Sequence, residues 1–328
     1  MFPMKRLFPR QTRKIYVGFF LALLCAFFIG SLFSGRSKNE PVESPDTPRK
    51  SLRIVSTAPS ITETLFAVGL GDCVAAVSDY CKYPESVSEL PKIGSLYDYN
   101  VEAIAELAPD FVVVLKENEV LPPKLASLGI ETFSVDHASL EGVLESFESL
   151  TNRAKEKRPD APERGAALRR EMETRIEKVR SNASKYPKTK SLVAIYRQVG
   201  RGVVGEAHIA GRNPYFNSVL EIAGGENVAE NLTGVAPIVS AEGIVELNPE
   251  VVLDLSTDGV NYEGEELRRK TEERVRDWQS LGDAVDAVRN KRVYPIFDDF
   301  ATVPGPRSVL FLEKLAGLLH PELSRTDD

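Results

Sequence analysis

Short runs rich in β-branched residues punctuate the chain at residues 53–57, 74–78, 111–115 and 130–135, and the stretches between them repeat apolar positions at helical spacing. Such alternation of strand and helix predicts a mostly parallel sheet with helices on its faces. The second half repeats the pattern, with strands at 191–197, 251–255 and 292–297 and a helix over 215–223 stopped by Gly224 and Gly225. In the first helix, Ser60 and Glu63 have the spacing of a capping box; the helix runs to Val68 and ends at Gly69.

One unit occurs twice. Residues 100–115 read N-V-E-A-I-A-E-L-A-P-D-F-V-V-V-L, and residues 240–255 read S-A-E-G-I-V-E-L-N-P-E-V-V-L-D-L. Each is a polar cap, a short helix with a Glu in its first turn, a Leu-x-Pro-acid stop and a buried strand. A solenoid would need shorter and more numerous repeats. Two copies 140 positions apart suit a pair of related lobes facing each other across a cleft. Between them, Pro159-Asp160-Ala161-Pro162-Glu163 opens a stretch dominated by Ala, Leu, Arg and Glu that runs to about residue 183. Asp160 is placed to cap it and Pro162 suits its first turn, giving a rod of roughly 33 Å at about 1.5 Å per residue.

The N-terminus adds a different segment. Residues 15–33 form a 19-residue apolar run behind Lys5, Arg6, Arg10, Arg13 and Lys14. At about 1.5 Å per residue it spans roughly 28 Å, close to a bilayer core, with the basic flank inside and the following chain outside. A cleaved signal peptide is the alternative. Cys25 follows Leu23 and Leu24 rather than small residues, which argues against a lipid-attachment site.

The expected fold is therefore α/β: two Rossmann-like lobes with mostly parallel sheets, joined by one long rigid α-helix and preceded by an N-terminal hydrophobic helix. The expected boundaries are 1–14, a basic cytoplasmic segment; 15–33, a membrane anchor or signal segment; 34–51, a polar linker; 52–158, the N-terminal lobe; 159–185, the linker helix; and 186–328, the C-terminal lobe.

Composition supports real cores, since 42% of the 328 residues are hydrophobic. The formal charge of −7 conceals nine Lys/Arg against three Asp/Glu in residues 1–50, so the remainder carries −13 and offers no basic face to nucleic acid. Cys73 and Cys81 flank a predicted strand that would hold their thiols apart, and whether they bond is left open.

Several chemistries lack their residues. Gly69-Leu70-Gly71 follows a helix and precedes a strand, the reverse of a dinucleotide-binding turn, and no nucleophile-and-base motif such as G-x-S-x-G occurs, so the chain is not expected to be an enzyme. Three histidines, His137, His208 and His320, are too few for a zinc or manganese carrier. No resident cofactor is expected.

The order and spacing of R-I-V-S at 53–56, P-S-I-T-E-T-L-F-A-V-G-L-G-D, Y-C-K-Y-P, L-P-K-I-G, E-A-I-A-E-L-A-P-D, A-G-G-E-N-V and P-G-P-R resemble those of class III periplasmic binding proteins. These are the ABC-importer solute-binding proteins for cobalamin and ferric siderophores. The resemblance covers residues 52–323. It implies two α/β lobes joined by a long helix, a ligand held between them, and delivery to a membrane permease and its ATPase. It also implies that Glu102 and Glu242, in matching motif positions, dock into the permease.

In parallel α/β lobes, ligands meet loops beyond the carboxyl ends of strands. Tyr80, Tyr83, Tyr97 and Tyr99 fall there in the first lobe, and Tyr80 and Tyr97 match the loop-facing aromatic positions of cobalamin binders. From the second lobe, Arg197 ends a strand, His208 follows in a loop region, and Arg212 precedes a helix start at Asn213-Pro214; the arginines suit an anionic chelate. Phe300 is a candidate wall residue, and Arg307 is expected to be a structural fork.

The reading is an extracytoplasmic, membrane-anchored receptor, monomeric and without nucleic-acid partners. It binds a bulky metal chelate, a corrinoid before a ferric siderophore and heme third, and presents it to an ABC importer. The alternative is a membrane-tethered chelate or heme sensor not coupled to an importer.

Overall fold

The computed structural model of the chain describes residues 51–96, 98–257 and 262–323. The expected anchor, its basic flank and the polar linker up to residue 50 lie outside the described residues, as does Tyr97. Among the described residues no helix is long and apolar enough to cross a membrane.

The first half runs β1 (Ile54–Ser56), α1 (Pro59–Ala67), β2 (Val74–Val77), the antiparallel pair β3 (Gly94–Ser95) and β4 (Asp98–Tyr99), α2 (Val101–Glu106), β5 (Phe111–Leu115), α3 (Leu121–Ser127), β6 (Thr132–Val135) and α4 (Leu140–Ala154). Its main sheet has the order β2-β1-β5-β6, parallel throughout. The 23-residue helix α5 (Ala161–Ala183) follows.

The second half comprises β7 (Thr189–Arg197), β8 (Glu206–Ile209), α6 (Pro214–Ile222), β9 (Gly225–Asn227), β10 (Ile238–Ser240), α7 (Ala241–Leu247), β11 (Val251–Leu255), α8 (Gly264–Gln279), α9 (Asp286–Arg289), β12 (Val293–Ile296) and α10 (Ser308–Leu319). Strands β7, β11 and β12 are parallel. β8 and β10 extend the sheet antiparallel beyond β7, whose first residues pair with β9 instead.

The strands read from the sequence are present, with ends shifted by a residue or two. Five were missed. β3, β4, β8, β9 and β10 span only two to four residues each and do not stand out, and His208 therefore lies on a strand rather than in a loop. Two caps also differ. Ser60 and Glu63 are not a capping box: α1 starts at Pro59, Ser60 Oγ bonds His137 Nδ1 at 2.9 Å, and Glu63 pairs with Arg307. Asp160 does not cap α5 and instead pairs with Arg158 and Arg164. Cys73 and Cys81 are both free and buried, and Cys81 Sγ lies 3.1 Å from the Thr62 hydroxyl.

Helix α5 buries Ala161, Gly165, Met172, Ile176, Val179 and Ala183, a stripe at helical spacing. Gly165 permits its close approach to α4, because a Cβ there would stand 2.4 Å from the Phe147 carbonyl oxygen. Phe147 of α4, Met172 of α5, Tyr215 and Val219 of α6, and Phe311 and Leu315 of α10 belong to one apolar cluster that also contains Ile54 and Phe111 of the first sheet and Val193 and Leu253 of the second. The two sheets thus share a continuous dry interior.

The repeated unit folds alike in both halves. Asn100 accepts a hydrogen bond from Ala103 N, and Ser240 accepts one from Gly243 N, each as an N-cap. Ala108 and Asn248, at equivalent positions, both turn out of their helices with positive φ, 44° and 39°. Two residues later the acid pins the neighbouring strand: Asp110 accepts from Arg53 N at 2.8 Å, and Glu250 accepts from Lys190 N at 2.9 Å. This explains the acid after the proline.

Candidate functional site

A cavity of about 600 Å³ opens on the second sheet where β7 ends. Register sets its floor. Tyr196 of β7 pairs with His208 of β8, which pairs with Ile238 of β10, so three side chains stand in one row on one face. Tyr196 is 53% exposed and Ile238 58%, and the tyrosine and histidine rings lie 5.6 Å apart at 60°. Arg197, Gln198, Arg201, Val203, Gly205 and Glu206 complete the lining.

Arg197 is the next residue along β7, and side chains of consecutive strand residues point to opposite faces. The expectation that its guanidinium reaches ligand is corrected here. It is buried, donating to Asp254 Oδ2 at 2.8 Å and Asp277 Oδ2 at 2.8 Å, and to the Gln198 and Arg274 carbonyls. Arg274 also binds Asp254, and Trp278 Nε1 donates to the same carboxylate at 3.1 Å. Two cations and two anions close this network without surplus charge, as burial demands.

In the first half, Tyr80 follows β2 and is exposed. Tyr99 is half-buried: its hydroxyl donates to the Thr57 carbonyl at 3.2 Å and accepts from Asn118 Nδ2 at 3.4 Å, and burial pushes its phenol above the usual range. Arg212 is exposed ahead of the Asn213 cap, and Pro214 opens α6 as expected. Phe300 is half-buried against the shared core, 5.9 Å from the Arg307 guanidinium.

Arg307 is a fork, as read from the sequence. Its Nε donates to Glu63 Oε2 at 2.8 Å, its Nη1 donates to Asp299 Oδ1 at 2.6 Å, and its guanidinium lies 4.1 Å from the Tyr83 ring centroid. A second cavity of about 400 Å³ is lined there by Glu63, Phe66, Tyr83, Arg175, Arg307 and Leu310.

The structure thus gathers Tyr196 and His208 in one place and Tyr83, Phe300 and Arg307 in another. Sequence reasoning did not single out Tyr196, Arg201, Val203 or Ile238 as wall residues. The period-two alternation along 195–197 was the available signal for Tyr196; nothing comparable marks the others.

Glu102 and Glu242 are both exposed in the first turns of α2 and α7. The Glu242 backbone N–H and the Ser240 hydroxyl hold the Glu242 carboxyl below its ordinary value.

Residues 54–299 match the family model described as periplasmic binding protein. The chain belongs to that family. Among curated relatives, the vitamin B12-binding protein of Vibrio parahaemolyticus is 28% identical over 281 residues, 83% of this chain and 87% of the relative. An uncharacterized ABC transporter substrate-binding lipoprotein of Bacillus subtilis, YvrC, is 28% identical over 291 residues, covering 87% and 84%. Among solved structures, the periplasmic vitamin B12 binding protein BtuF of Vibrio cholerae superimposes with a TM-score of 0.68 at 22% identity, over 84% of this chain and 98% of that one. The chain thus shares its family with ABC transporter substrate-binding proteins.

Proposed function

We propose that the protein is the extracytoplasmic, membrane-anchored receptor of an ABC importer for a bulky metal chelate, with a corrinoid as its cargo. One observation carries the reading: the exposed row of Tyr196, His208 and Ile238, two apolar faces flanking an imidazole, beside the carboxyl end of β7, the end at which parallel strands offer ligand sites. Aromatic faces suit a rigid macrocycle, and the polar rim suits its substituents. The corrinoid is favoured over a ferric siderophore or heme by the name of the Vibrio parahaemolyticus relative. Tyr80, Tyr97 and Tyr99 are assigned to the facing wall, with Arg212 and Phe300 at its edges. Glu102 and Glu242 are the permease-docking pair, and residues 15–33 supply the anchor.

Calorimetric titration of the full-length chain with cyanocobalamin, a ferric siderophore and hemin tests the proposal. Cyanocobalamin is expected to bind most tightly, and Tyr196→Ala to weaken it about tenfold while leaving thermal unfolding unchanged, because so much of the ring is already in solvent. Tight binding that ignores Tyr196→Ala would move the cargo elsewhere, and preference for another chelate would replace the corrinoid.

A further inference from the structure

The loop over residues 198–205 is built to present two side chains. Gly200 N and Gly202 N donate to the two oxygens of the Asp277 carboxylate, at 2.8 and 2.7 Å, and Val204 N donates to Ser280 Oγ at 3.1 Å. Every second backbone N–H is thus captured by the end of α8. The intervening side chains, Arg201 and Val203, are exposed and line the cavity. Gly200 and Gly202 sit at φ 80° and 73°, where a side chain is strained, and a Cβ at Gly200 would meet Glu273 Oε1 at 2.4 Å.

Both guanidiniums of this wall are thereby sorted. Arg197 is neutralised within the buried network. Arg201 has no ion-pair partner among the described residues and projects from a loop whose backbone is fixed from behind. Glu206 lines the same cavity, so with the Arg197 charge already neutralised the wall carries one unpaired cation and one anion. That pairing suits a cargo with a single anionic group beside neutral polar substituents better than a polyanion.

We propose that Arg201 is the specificity-determining contact of the cavity, recognising one phosphate or carboxylate group on a bulky, flat cargo, and that Asp277 is the residue that positions it. The inference rests on the cavity being the cargo site. A charge-assisted hydrogen bond of this kind corresponds to about tenfold or more in affinity.

The test uses the full-length chain in detergent micelles and three probes: cyanocobalamin, which carries a phosphodiester; dicyanocobinamide, the same macrocycle without it; and hemin, which carries carboxylates. Arg201→Ala is expected to weaken the anionic probe that binds best by tenfold or more and to flatten its salt dependence, with Arg201→Lys recovering part of the loss and dicyanocobinamide unaffected. Response of cyanocobalamin alone identifies phosphate, and of hemin alone carboxylate. Asp277→Asn is expected to weaken the same probe, yet to add nothing in the Arg201→Ala background. Should that variant fail to fold, Ser280→Ala, which frees only Val204 N, is expected to give a smaller loss with the same non-additivity. If Tyr196→Ala weakens a probe that Arg201→Ala leaves within twofold, the assignment of Arg201 falls and the cavity stands. Additive losses would overturn the role of Asp277, and a wild-type chain that binds none of the three would overturn both readings.

Discussion

The Arg307 guanidinium and the Glu63 carboxylate, 244 positions apart in the chain, form a two-point ion pair that ties α1 of the first half to the segment ahead of α10. Burial pushes the Glu63 carboxyl up, and Arg307 opposes that push by hydrogen bond and charge. Asp299 shares the guanidinium from the other side, and Tyr83 covers its face.

Removing the cation leaves a buried carboxylate without a partner. Arg307→Met is expected to lower unfolding free energy by about 3–5 kcal/mol, and Glu63→Gln by less, since Arg307 keeps Asp299. Urea unfolding monitored by circular dichroism measures both; an Arg307→Met variant within about 1 kcal/mol of the parent would mean that the pair contributes little.

His137 sets a pH limit. It lies buried between the Ser60 and Ser146 hydroxyls at 2.9 and 3.0 Å, and burial lowers its pKa from 6.5 to about 4, against the pull of Asp136. Below the unfolded value the unfolded chain takes up the proton first. Stability contributed by the neutral ring is therefore full above about pH 6.5 and is lost as pH falls toward 4, by about 3 kcal/mol in all. The difference between wild type and His137→Gln across that window isolates this group from Glu63, whose raised carboxyl acts in the opposite sense. Parallel pH profiles for the two proteins would rule the effect out.

Exposed acids change recognition more than folding. Glu102→Arg with Glu242→Arg is expected to abolish uptake in cells that carry the cognate permease, while cargo affinity stays within about twofold, because each exposed ion pair contributes only about 0–1 kcal/mol and acts mainly through orientation and encounter. Loss of cargo binding in the purified double variant would assign these residues to the wrong surface.

Ala108 occupies a left-handed conformation that its repeat partner fills with asparagine. Ala108→Gly is expected to raise stability by about 0.5–1 kcal/mol, whereas Asn248→Gly changes it little, since asparagine already tolerates that region. Thermal unfolding of both single variants separates the two outcomes.

Much of the fold was legible because its signals are local. Residues 111–115 and, Asp254 apart, 251–255 are apolar runs preceded by Pro and an acid, and the stretch after Pro162 has the composition of a long helix; nothing tertiary competes with either. The misread caps share one cause, side chains claimed by other partners. Ser60 and Glu63 have capping-box spacing, but their side chains are claimed by His137 and Arg307, residues 77 and 244 positions away. Asp160 was likewise drawn from its cap by neighbouring arginines. The site suffered from the same blindness: Arg197 looked like a ligand contact until Asp254 and Asp277 were seen to surround it, and Ile238 joins the platform only through strand register.

The apolar interior common to both sheets leaves no natural hinge line, since parting the halves would wet Phe147, Phe216 and Phe311 together. For the receptor proposed above, rim side chains and short loops are then what would distinguish the full from the empty state. If the protein serves the importer proposed above, vacant copies would queue at it almost as readily as laden ones, so that throughput would follow the fraction carrying cargo rather than the number of receptors made.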